Sequence, residues 1–131
     1  MVHHIVMWKF KPEIEEERKA DLKKDMEANL SSLIGKIPGL LSVSFVSEPF
    51  VSSTHDMALV TTFEKAEDIK VYSAHPEHVK VADTYVRPFV TERACLDYQD
   101  KKMPTASQLP RPSILRGKGL LSLLLCFIII L

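Results

Sequence analysis

The apolar residues between His3 and Tyr98 follow one order of spacings: strand, helix, strand, strand, helix, strand. No other feature limits the fold as tightly, because side chains share a face every two residues along a strand and every 3.6 along a helix. His3–Phe10 holds Ile5, Val6, Met7, Trp8 and Phe10, the apolar run of a strand buried on both faces. Pro12 suits the first turn of a helix, where its missing N–H has no partner to lose. Glu13, Glu15, Glu16 and Glu17 crowd that turn, where the helix dipole favours negative charge. Leu22, Met26, Leu30, Leu33, Ile34 and Ile37 then form one apolar stripe, which Gly35 and Pro38-Gly39 bring to an end.

The second half repeats the order with different punctuation. Leu40–Val46 sets Leu41, Val43 and Phe45 against Ser42 and Ser44, and Asp56–Phe63 places Met57, Leu59, Thr61 and Phe63 on one side. Ser47–His55, with Pro49, reads as a flexible connection. Lys65–Ala74 is a short helix with Ala66, Ile69 and Tyr72 spaced by three. His75-Pro76 breaks it, and Pro76 opens a new helical turn that carries Val79, Ala82, Val86 and later Phe89 inward, with Pro88 loosening its end. Glu92–Tyr98 alternates, Ala94, Leu96 and Tyr98 against Arg93, Cys95 and Asp97.

This β-α-β-β-α-β order predicts an α+β, ferredoxin-like fold: one antiparallel sheet with both helices on one face. The other face is left apolar and uncovered, which marks a partner surface. Packing two such sheets face to face in a two-fold homodimer is the commonest way to bury it. The fold is expected to occupy residues 1–100. In residues 101–131, Pro104, Pro110 and Pro112 punctuate a polar linker, and Leu120–Leu131 is apolar except for Ser122. That run falls short of the roughly 20 residues a bilayer core requires. Shallow membrane insertion, with Arg116 and Lys118 at the lipid surface, stands against the preferred reading of a divergent chain end outside the fold.

Charge narrows the partners. The 17 basic and 17 acidic residues cancel, but residues 101–131 hold five of the basic ones and no acidic one, leaving net −5 on the first hundred. An acidic body repels a phosphate backbone, so nucleic acid is excluded as a first reading. Cys95 and Cys126 are too few for a disulfide framework. Met1-Val2-His3-His4 runs straight into a strand without the pattern of a secretory signal, so the expected address is cytoplasmic.

Several ordered segments resemble the stress-responsive A/B barrel (Dabb) family. They are Val2–Lys11, Ile37-Pro38-Gly39-Leu40, Ala58–Glu64, Tyr72–Val79 and the closing Asp97-Tyr98, a resemblance spanning roughly residues 2–98. It implies a homodimer in which two sheets form a barrel, without implying one reaction. Plant members similar to this chain act as polyketide cyclases, folding a linear poly-β-ketone into an aromatic acid. A tyrosine and a histidine sit in those cyclases where this chain has Tyr72 and His78, whereas their histidine on the third strand is replaced here by Met57.

Tyr72 and His78 are therefore the candidate catalytic residues. Imidazole exchanges a proton near neutral pH, and a phenol polarises a carbonyl oxygen by hydrogen bonding. An aldol-type ring closure uses both actions and requires neither a metal nor an organic cofactor. The structural alternative packs Tyr72 against the helix interior and leaves His78 as decoration on the turn after Pro76. His75, His78 and Asp83 lack a clear further ligand for a metal site, and His75 reads as the cap before Pro76. His4 shares a strand face with Val6 and Trp8, in a hydrogen-bonded structural role, while His3 points the other way. Cys95 reads as a small core residue. The leading expectation is a homodimer that binds a small apolar or aromatic molecule between sheet and helices. The alternatives are a non-catalytic protective or scaffolding dimer and a cofactor-free monooxygenase.

Overall fold

Strand β1 (Val2–Phe10) buries alternate residues: Val2, His4, Val6, Trp8 and Phe10 face one way, while His3, Ile5, Met7 and Lys9 remain half-buried on the other face. It pairs antiparallel on both edges, with β3 (Met57–Phe63) and with β4 (Val90–Gln99). Strand β2 (Leu40–Val46) adds to the far edge of β3, giving the order β2-β3-β1-β4. This is the α+β, ferredoxin-like sheet the periodicity predicts. The computed structural model describes residues 1–101 together with Thr105 and Ser107. The expectation for the apolar tail Leu120–Leu131 falls outside the described residues. Among them, no helix is long and apolar enough to cross a membrane.

The helices cover one face. Helix α1 (Glu16–Ser31) turns Leu22, Met26 and Leu30 onto the sheet. It starts later than Pro12 suggests. The Ile14 N–H bonds Lys11 O at 3.0 Å to close a turn, and Glu15 is still extended, so Pro12 serves that turn instead of the helix. Leu33 and Ile37 stay buried beyond the helix end, but Ile34 is exposed, because the chain has left helical geometry by Gly35 (φ +82°). Helix α2 (Glu67–Ala74) carries Tyr72 inward, and α3 (Pro76–Val81) follows directly. A π-helical turn, Ala82–Val86, continues from it, sealed by Arg87 N–H donating to Ala82 O at 2.8 Å.

Two expectations change on the strands. Leu41 does not share a face with Val43 and Phe45. The β2–β3 register shifts between Leu40 and Ser42, so Leu40 is the buried partner of Phe63 and Leu41 turns outward. Cys95 is exposed and not part of the core, because β4 is the edge strand and its residues from Cys95 onward are open to solvent. The sheet face away from the helices carries Leu96 and Tyr98, 60% and 43% exposed. Tyr98 stacks on His3 there with centroids 4.6 Å apart.

Gly39 sets the entry to β2. Its φ is +83°, and a Cβ there would run into the Asp68 carboxyl group, whereas Gly35, with φ +82°, has open space around it. Both glycines resist substitution through their backbone angle, and Gly39 through a clash as well. Gly39→Ala is expected to lower stability by about 2–3 kcal/mol and Gly35→Ala by about 1 kcal/mol, read from urea midpoints. Equal losses would show that Asp68 gives way freely.

Candidate active site

A cavity of about 230 Å³ lies between the sheet and the helices. His4, Val6 and Trp8 of β1 and Leu59 of β3 form its floor. Leu30, Tyr72 and His78 wall it, and the exposed Arg87 and Arg93 stand at its mouth. The volume is below the roughly 300–1,000 Å³ of pockets for drug-sized ligands, so the space suits a single-ring molecule.

Tyr72 is 1% exposed, and its hydroxyl has no hydrogen-bond partner among the described residues. Buried polar groups are nearly always paired, so an orphan hydroxyl on a cavity wall is a donor kept in reserve. Burial pushes the phenol far up from its ordinary value, so it stays protonated and acts as a donor. The ring packs edge-on against Phe63 at 5.3 Å and against His4 at 6.2 Å, fixing its direction.

His78 lies beside it, with ring centroids 4.2 Å apart. The chain break explains the approach. Tyr72 sits in the last turn of one short helix, His75 is extended, and its side chain accepts from Glu77 N–H at 3.2 Å to cap the next. His78 then falls in the first turn of α3 and folds back over α2, where its Nδ1–H donates to Ser73 O at 3.3 Å. A carbonyl only accepts, so this bond fixes the tautomer and leaves Nε2 with the free lone pair. Burial pushes the imidazole below its ordinary value; the Ser73 bond opposes this, while the nearby charges of Arg87, His4 and Arg93 lower it further. The balance of these effects favours the neutral imidazole.

His4 does more than the structural role expected of it. Its ring lies on the cavity floor, and its Nδ1 meets Asp97 Oδ1 at 2.5 Å. That carboxylate orients a second imidazole toward the same space. Cys95 Sγ is 3.6 Å from both His4 Nδ1 and Asp97 Oδ1. Burial of the sulfur and then the Asp97 charge push this thiol up, so it is a poor nucleophile. His4, Cys95 and Asp97 present three donor atoms within 4.8 Å of one another, a set that could hold a metal ion. By contrast, His75, His78 and Asp83 are engaged elsewhere: His75 caps α3, His78 covers Tyr72, and Asp83 pairs with Arg87. The sequence carries His4 and Asp97 in plain view, but their meeting depends on strand register, which period-two alternation does not reveal.

Fold and cavity together define a ferredoxin-like domain of the A/B barrel class with a hollow under its helices lined by Tyr72, His78 and His4. The chain belongs to the Stress responsive A/B Barrel Domain family, whose sequence profile matches residues 2–100. It is 31% identical over 101 residues to olivetolic acid cyclase of Cannabis sativa, covering 77% of this chain and 98% of that protein. It is 28% identical over 119 residues to a stress-response A/B barrel domain-containing protein of Arabidopsis thaliana, covering 84% of this chain and 41% of that protein. A dimeric protein of ferredoxin-like fold from Bacteroides fragilis superposes with a TM-score of 0.69 at 27% identity, covering 76% of this chain and 95% of that one.

Two measurements bear on the site. Tyr72→Phe removes a buried hydroxyl that bonds nothing among the described residues, so it is expected to raise stability by about 1 kcal/mol in a urea titration. A loss of that size instead would mean the hydroxyl has a partner. His78 is depressed from its ordinary value of 6.5. Between 6.5 and its lower folded value, the unfolded chain holds a proton that the folded site refuses. Stability is thus complete above that window and falls as pH drops through it, and His78→Gln is expected to flatten this part of the profile.

Proposed function

We propose that this protein is a homodimeric A/B barrel that binds a small aromatic or enolisable molecule in the cavity and performs cofactor-free acid–base chemistry on it. One observation carries the reading: the Tyr72 hydroxyl is buried without a partner directly beside a neutral, tautomerically fixed His78. The reaction class that uses this pair is an aldol-type ring closure. His78 Nε2 takes a proton from a carbon flanked by carbonyls, and the enolate carbon bonds to a second carbonyl carbon of the same molecule. The Tyr72 O–H stabilises the oxyanion that forms there. The likeness to olivetolic acid cyclase across nearly that protein's whole length supports this class. Met57, buried on β3, stands where the cyclase pattern has a histidine, so the molecule closed here differs from that relative's.

Self-association is read from the sheet. Leu96 and Tyr98 are exposed on the face without helices, and the similar Bacteroides fragilis protein is dimeric. Introducing a charge there, as Leu96→Glu, is expected to convert the dimer to monomer in size-exclusion chromatography with light scattering. An unchanged dimer would place the interface elsewhere.

The activity test is incubation with a linear poly-β-ketone thioester generated in the reaction, with aromatic acids followed by mass spectrometry. His78→Ala is expected to lower turnover by about 10²–10⁴-fold and Tyr72→Phe by about 10²–10³-fold. Full activity in His78→Ala would remove the proposed base.

A further inference from the structure

The geometry points to a carboxylate-bearing ligand: the cavity takes its aromatic or enol body inward and holds its acidic group at the mouth between Arg93 and Arg87. The inference rests on the cavity being the ligand site and adds the charge of what enters it.

The lining carries the argument. The first hundred residues hold all 17 acidic groups of the chain, yet none lines this cavity, while two guanidiniums do. Within a body of net negative charge, the charged side chains that line this hollow are two guanidiniums. Charge and depth are also ordered. The Tyr72 hydroxyl and His4 lie buried inside, and Arg87 and Arg93 are exposed at the opening. A ligand matching this gradient has an acceptor oxygen at its inner end and an anion at its outer end.

The two arginines are not equivalent. Arg87 is already paired with Asp83 one helical turn back, which spends much of its charge. Arg93 makes no ion pair with a carboxylate among the described residues, so it is the principal anchor. Its place is built by a bulge. Met7 pairs with Ala94 and Lys9 with Thr91, so Glu92 and Arg93 together oppose Trp8. Glu92 takes φ +49°, a conformation uncommon outside glycine, and its carboxylate turns to Lys9 at 2.5 Å. The extra residue lets Val90 and Arg93, three positions apart, both face the helices, where a regular strand would send them to opposite faces. Planar guanidinium then meets a carboxylate with two parallel bonds.

The test compares benzoate with benzamide and methyl benzoate, three probes of one shape and two charges, by NMR titration of the full chain at low salt. Benzoate is expected to bind at least tenfold more tightly than either neutral probe, with the difference shrinking in 0.5 M salt, roughly a 4 Å screening length. Arg93→Gln is expected to collapse that difference, and Arg93→Glu to reverse it; Arg87→Gln should reduce it by less. Equal binding of all three probes, at shifts mapping to the cavity, overturns the charge inference and leaves the ligand site standing. A benzoate preference that survives Arg93→Gln and Arg93→Glu overturns the assignment to Arg93. Binding of none of them at millimolar concentration removes both the charge inference and the cavity as a ligand site.

Discussion

Every feature of the site depends on β1 being paired along both edges. A strand bonded on two sides cannot slide or rotate without breaking both ladders, so its alternation is fixed. His4, Val6 and Trp8 must face the helices, and His3, Ile5 and Met7 must face away. The first set becomes the cavity floor; the second becomes the centre of the open face. The residues opposite inherit the same division. His4 stands across from Asp97 and Val6 across from Cys95, which sets a carboxylate and a thiol against the His4 ring.

The helical side depends on interruption. One continuous helix from Glu67 to Val86 would space Tyr72 and His78 six residues apart, far round the axis from each other. The break at His75-Pro76 restarts the chain, and the His75 cap holds the restart, so His78 folds back until the two rings touch. The π turn at Ala82–Val86 adds a second irregularity over the same cavity. Such turns recur beside functional sites because they re-aim side chains that a regular helix would place elsewhere.

Much of this was legible from the residues. The order of elements follows from spacing, and β2, β3 and the split second helix fall close to where apolar period and proline punctuation put them. Tyr72 and His78 stand out through their match to the tyrosine and histidine of the family's cyclases, and His75-Pro76 marks the helix break between them. The failures share a cause. Leu41, Cys95 and the His4–Asp97 bond were set by events between strands: a bulge, an edge position and a register. Alternation along one strand records which residues share a face, but it is blind to what lies across the ladder. The late start of α1 is a different case, in which a turn and a helix compete for the same proline.

The bulge at Glu92 also bears on how the chain can vary over time. Along β1 or β3, gaining or losing one residue would turn a row of core side chains out into water. At Glu92 the strand already carries a residue that no partner counts. Its removal would leave Val90, Arg93 and Cys95 looking the way they look now. The strand beside the cavity mouth is therefore free to change length, and with it the curvature of the opening, while the fold beneath persists.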